Sequence, residues 1–173
     1  MKKIITIAIS ALLGVTMMVG LTGCGEKITL TSQTINGITL DVPSDFGAFG
    51  EKSGLMLAAN EDSTATIAIT PVQDAGGGTA DAFDQETYQS TQMSTFTDVE
   101  FVEFNNNTTL NGVPALYAHA NGKNSSGVPL EVYNYILFYE DGTFQSIVFS
   151  FSADNDSSLE ENIKTVIDSI KIG

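Results

Sequence analysis

Arginine is absent from this 173-residue chain, cysteine and histidine occur once each, and seven lysines stand against 21 acidic residues. Each shortage removes a class of chemistry. With so few cations a nucleic-acid surface is disfavoured, because affinity for phosphate backbones comes from Lys and Arg displacing counterions. Electrostatic docking on anionic lipid is disfavoured for the same reason, and the acidity by itself serves solubility. A single histidine, His119, cannot build a histidine triad or a multi-histidine metal centre. A single cysteine, Cys24, cannot close a disulfide within the chain, so the fold must rest on its own core. No G-x-S-x-G elbow is present to activate a serine. The run Gly76-Gly77-Gly78 lacks the GKS or GKT ending of a phosphate loop and reads as a flexible loop. The expectation is a protein without enzymatic activity, cofactor or metal.

What the chain does carry begins with its first 24 residues. Lys2 and Lys3, the apolar stretch 4–19, and the small pair Thr22-Gly23 supply the positive, apolar and cleavage regions of a signal peptide in order. Leu21-Thr22-Gly23-Cys24 resembles the lipobox of bacterial lipoproteins. That resemblance implies a diacylglyceryl group on the Cys24 sulfur, cleavage between Gly23 and Cys24, and a mature protein anchored at the extracytoplasmic face of a bacterial membrane. A membrane-spanning helix over the same stretch would need about 20 predominantly apolar residues. Thr6, Ser10, Gly14 and Thr16 interrupt it. Each buried methylene contributes about 0.8 kcal/mol, so a pair of acyl chains gives stable anchoring where one is marginal. A lipidated Cys24 leaves no thiol for catalysis. Cleavage leaves 150 residues, enough for one domain, with five lysines and all 21 acids, a net charge of −16. The organisation expected is a signal peptide over 1–23, a lipidated N-terminus and short tether over 24–33, and a single domain over 34–173. Nine residues beyond Cys24 reach at most about 30 Å, which keeps the domain close to the bilayer.

Past the tether, Ile38, Leu40 and Val42 alternate with Thr39 and Asp41 until Pro43, and further strand patterning covers 54–59 and 65–72, an opening meander. Residues 80–96 lose the alternation and predict a helix with a thin stripe of Phe83, Tyr88 and Met93. From Val99 strands return, punctuated by Asn111-Gly112, Asn121-Gly122 and Asp141-Gly142, dipeptides suited to type I′ hairpin turns. The strand at 130–139 is apolar on both faces, as a central strand covered on both sides would be. A closing helix starts near Ser157 or Ser158, capped in the S-x-x-E pattern, with Leu159, Ile163, Val166, Ile167 and Ile170 on one face.

Three stretches then resemble one known family. They are Gly37-Ile38-Thr39-Leu40-Asp41-Val42-Pro43-Ser44-Asp45-Phe46, the turn Leu110-Asn111-Gly112-Val113-Pro114-Ala115, and the closing helix over 163–170. Together, across 34–172, they are similar to the PsbP-like superfamily, which includes extrinsic photosystem subunits, a nuclear import factor that binds Ran, and many bacterial lipoproteins. The resemblance implies an α+β fold: an α/β/α sandwich around an antiparallel sheet of about six or seven strands, with two main helices. It also implies protein binding without catalysis. Phe46 stands where such proteins commonly carry tryptophan.

Candidate functional residues are few. His119 shares a strand face with Tyr117 and Asn121 and reads as an exposed strand residue; a hydrolase would need an acid and a serine beside it. Asp154-Asn155-Asp156-Ser157-Ser158 looks like the start of a calcium loop, but Leu159 and Thr165 occupy the required glycine and acid positions. Helix capping accounts for the same residues. Tyr133, Tyr135 and Tyr139, with Tyr117 from an adjacent strand, could form an aromatic face near Glu131 and Glu140 that holds a cationic ligand. The alternative for these tyrosines is packing beneath the first helix with their hydroxyls toward solvent. The leading functional expectation is a non-catalytic module that binds a protein partner in an envelope complex; the alternative is a lipoprotein that binds a small, cationic ligand.

Overall fold

The computed structural model describes residues 28–173. The signal segment, Gly23, Cys24 and the first part of the tether lie outside the described residues. In chain order the elements are β1 (Leu30–Ile35), β2 (Ile38–Pro43), β3 (Gly50–Lys52), β4 (Leu55–Ala59), β5 (Ala65–Ile69), β6 (Gln73–Asp74), α1 (Gln85–Gln92), β7 (Thr97–Leu110), β8 (Val113–Lys123), β9 (Pro129–Phe138), β10 (Thr143–Ser152), α2 (Ser158–Ser169) and β11 (Lys171–Ile172).

Two sheets result, and they split the expected opening meander. β2 pairs with β1 on one side and β11 on the other, while β4 and β5 belong to a second, eight-stranded sheet ordered β3-β4-β5-β10-β9-β8-β7, with β6 against β10. All the pairings are antiparallel. Asn36 and Gly37 both have positive φ, 51° and 81°, so this Asn-Gly makes the tight turn between β1 and β2. Strand β1 thereby takes up Leu30–Gln33 of the segment read as a tether. Its polar run Thr31-Ser32-Gln33-Thr34 hides the alternation from a sequence reading, and pairing with β2 supplies the order.

The large sheet has a core on each face. On one, Leu116, Ile136, Phe144 and Val148 pack against Phe83, Tyr88, Met93 and Phe96 from around α1. On the other, Ile67, Leu137, Ile147 and Phe149 meet Leu40 and Val42 of β2, Leu159 and Val166 of α2, and Ile170 just past its end. The second outer layer of the sandwich is therefore composite, a small sheet beside a helix. β9 and β10 are covered on both sides, as the two-faced apolar pattern requires.

The closing helix forms as its periodicity dictates, and Ser157 caps it by accepting the Glu160 backbone N–H at 3.1 Å. The first helix is shorter than expected. A 3-10 turn occupies Ala80–Ala82, and α1 begins after Asp84, whose carboxylate accepts the Thr87 N–H at 2.7 Å. The Thr79 hydroxyl donating to Asp81 and the Asp84 carboxylate accepting the Thr87 N–H compete with the longer helix and break it.

Asn121-Gly122 is no turn: both residues lie inside β8. Gly122 is there for close approach, since a Cβ would sit 3.1 Å from Phe96 Cδ1. The chain reverses later, where the Asn124 side-chain oxygen accepts the backbone N–H groups of Ser126 and Val128. At Asp141-Gly142 a hairpin does form. Only Gly142 has positive φ, however, and the paired Tyr139 N–H to Thr143 oxygen and Gly142 N–H to Tyr139 oxygen bonds define a three-residue loop.

Candidate functional site

Register decides which side chains meet. In the β8–β9 pair Tyr117 lies opposite Tyr135, His119 opposite Tyr133, and Asn121 opposite Glu131. Directly opposed residues of an antiparallel pair share a face, and this one is the face toward α2, not α1. Packing beneath the first helix is thus overturned. The alternation Tyr117-x-His119 against Glu131-x-Tyr133-x-Tyr135 was visible in the sequence; the pairing that joins the two strands was not.

The rings form two cross-strand stacks. His119 and Tyr133 lie 4.0 Å apart and nearly parallel, at 16°, and Tyr117 and Tyr135 lie 4.7 Å apart at 31°. Glu131 ties the first stack together, since its Oε1 accepts from His119 Nε2 at 2.6 Å and from the Tyr133 hydroxyl at 2.8 Å. His119 is consequently 13% exposed, and the exposed strand residue expected there is instead a held one. Glu131 supplies the acid that a hydrolase would require, but among the described residues no serine hydroxyl bonds to His119.

Acids ring these stacks. On β7, Glu100 lies opposite Asn121, Glu103 opposite His119, and Asn105 opposite Tyr117. The tyrosine hydroxyls register that charge. Tyr133 is pushed far above the ordinary tyrosine range by desolvation, then by the bond and charge of Glu131, then by Tyr117 and Glu160. Tyr117 rises similarly through desolvation, Tyr135, Glu103 and Glu131. Tyr135 is raised by desolvation, Glu103 and Asp168. Glu160 and Asp168 belong to α2, so the helix flanks the stacks with further negative charge. Lys164 pairs with Asp168 at 2.6 Å and Lys123 with Asp98 at 2.8 Å, leaving these two lysines engaged with acids other than Glu100, Glu103 and Glu131.

Tyr139 does not join this group. Its hydroxyl donates to Gln145 Oε1 at 2.7 Å, and Gln145 Nε2 donates in turn to the Asn36 and Thr70 carbonyls. Tyr139 and Glu140 instead line two open clefts at the β9–β10 turn, of about 420 and 370 Å³. The glycine run borders the larger, where Asp74 Oδ1 accepts the Gly76 N–H at 2.7 Å. In the 154–158 segment, Ser157 caps α2 and the Ser158 hydroxyl bonds to the Asp45 carboxylate at 2.7 Å, so capping and docking of the helix account for both serines.

No family model and no curated protein matches the sequence. Among solved structures, the chain is similar to cyanobacterial PsbP from Synechocystis sp. PCC 6803, with TM-score 0.58 and 12% identity over 88% of this chain and 99% of that one. It is similar also to the Ran-binding protein Mog1p of Saccharomyces cerevisiae, with TM-score 0.55 and 10% identity over 84% and 96%. The fold is PsbP/Mog1-like. At these identities the likeness is one of fold alone. Within the PsbP/Mog1-like framework, then, the chain's own chemistry must be read from its aromatic stacks and their acidic rim. Glu100, Glu103 and Asp168 were not singled out in the sequence, and Glu160 only as a helix-capping residue and half of an adjacent acid pair, because acids scattered among 21 carry no signal until register gathers them.

Proposed function

We propose that this protein is a membrane-anchored, extracytoplasmic lipoprotein whose PsbP/Mog1-like domain serves as a non-catalytic binding module for a protein partner in an envelope complex. The observation that carries the reading is the face of two aromatic stacks rimmed by Glu100, Glu103, Glu131, Glu160 and Asp168. Aromatic side chains present large contact area at low entropic cost, and a carboxylate rim selects cationic groups and repels acidic surfaces. The lipobox at Leu21-Thr22-Gly23-Cys24 supports placement on the membrane. Anchoring through Cys24 keeps the face near membrane partners although the domain itself is repelled by anionic lipid.

The test is chemical crosslinking in cells that make the full-length protein, followed by affinity capture, with Cys24→Ala as the unanchored control. One defined complex, recovered with the native protein and lost with Cys24→Ala, is the expected outcome. Recovery of the native protein alone contradicts the reading.

A second reading, a lipoprotein that binds a small cationic ligand, draws on the larger cleft at the β9–β10 turn. Phe138, Tyr139 and Pro114 form its apolar wall, and Asp81 and Glu140 supply negative charge. Under this reading the ligand sits at Tyr139 and Glu140, because His119 covers one face of the Tyr133 ring and Tyr117 one face of the Tyr135 ring. Titration with small quaternary amines, followed by NMR, would place shifts at Tyr139 and Glu140 under this reading.

A further inference from the structure

The large sheet ends at β7, and that strand differs from the other end in ways that bear on a partner. β3, at the opposite end, has three residues; β7 has fourteen. A terminal strand offers a row of backbone donors and acceptors to any chain that can lie alongside it. Here the row carries a particular arrangement of side chains. Phe101 pairs with Ala120 and Glu103 with His119, so two steps on β7 match one on β8, and Val102 is the extra residue of a β-bulge. Residues three apart on a regular strand point to opposite faces. The bulge cancels that, placing Glu100 and Glu103 together on the His119 face and Phe101 and Phe104 together beneath, where they pack with Tyr88. Val102, displaced by the bulge, is 59% exposed and one of two large apolar side chains so exposed among the described residues.

We infer that the edge of β7 receives an extended, Lys- or Arg-bearing segment of the partner protein, added as a further antiparallel or parallel strand beside Glu100–Glu103. The inference rests on the protein-binding reading above and specifies its surface. Side chains opposite one another across such a pair lie about 5 Å apart, so a cation on the incoming strand meets Glu100 or Glu103 directly. Backbone pairing with alternate side-chain selection is the usual mode of strand addition. A second copy of this chain is a poor occupant, because its net charge of −14, or −16 once cleaved, opposes approach to an acidic edge.

The experiment installs a photoreactive amino acid at Val102, or at Lys52 on β3, in the full-length lipoprotein and irradiates the cells that make it. The expected result is a crosslink from Val102, absent from Lys52, to a segment rich in Lys or Arg. A synthetic copy of that segment should bind the purified full-length protein, and bind Glu100→Gln/Glu103→Gln about tenfold more weakly. N-methylation of alternate amides in the peptide should abolish binding. Crosslinks to a partner from Lys52 alone overturn the β7 site and leave the protein-binding reading standing. Crosslinks to a second copy, or unchanged affinity after N-methylation, overturn strand addition. No crosslinked partner from either position, together with none in the capture experiment, overturns both.

Discussion

One oxygen of Glu131 holds two groups, His119 Nε2 and the Tyr133 hydroxyl, and so fixes the stack that the two rings make. Glu131→Ala removes the acceptor from both. The expected cost is about 1 kcal/mol, because water can partly replace the carboxylate at this half-buried position, and thermal unfolding should shift down by a few degrees. A deeper position gives a larger effect. Asn134 accepts from Ser146 and donates to the Tyr88 hydroxyl, and all three residues are buried. Asn134→Val leaves both hydroxyls without their partner, which should cost about 2 kcal/mol in denaturant unfolding. Tyr88, Tyr117 and Tyr133 share a further property, since burial first of all raises each hydroxyl above its ordinary value. The folded state therefore holds these protons more tightly than the unfolded state, whose tyrosines titrate near pH 10. The contribution to stability is complete below that pH and declines as pH rises above it. Absorbance titration should show these tyrosines still protonated where free tyrosine is half ionised, with their ionisation accompanying alkaline unfolding.

At the scale of elements, α2 follows directly from its sequence: four apolar residues at helical spacing, Ile170 just past its end, and a serine cap. Ser157→Ala should cost about 1 kcal/mol, read by chemical denaturation. The central strands were equally legible, because β9 and β10 carry apolar residues on both faces and need cover on both. Other elements were not. β1 is polar for four consecutive residues and exists because β2 offers it an edge, a tertiary cause that leaves little local trace. Asn121-Gly122 misled because the same dipeptide that permits a turn also permits close packing, and only the position of Phe96 distinguishes them. Gly122→Val should accordingly cost about 1–3 kcal/mol by overpacking. The aromatic site was half legible, as alternation put Tyr117 with His119 and Tyr133 with Tyr135 on strand faces. What joined them, and excluded Tyr139, was the register between strands.

At the scale of the whole molecule, the proposed lipid anchor at Cys24 would hold a PsbP/Mog1-like sandwich with one acidic, aromatic face and an adjoining strand edge close to the bilayer. Charge sets how these parts behave together. The purified domain over 25–173 should fail to bind anionic vesicles at physiological ionic strength, where a surface with five lysines and 21 acids is repelled. Partner binding through the carboxylate rim should weaken as salt is raised, since exposed charges are screened over about 8 Å at 0.15 M. The most direct test of the central claim is quantitative recovery of the crosslinked partner from cells making the native protein, Cys24→Ala, or Glu103→Gln/Glu131→Gln. One complex is expected with the native protein, with a loss on removing the anchor and a comparable loss on neutralising the face in a protein that still reaches the membrane. Full recovery with Glu103→Gln/Glu131→Gln would contradict it, because the partner would then be held by some other surface.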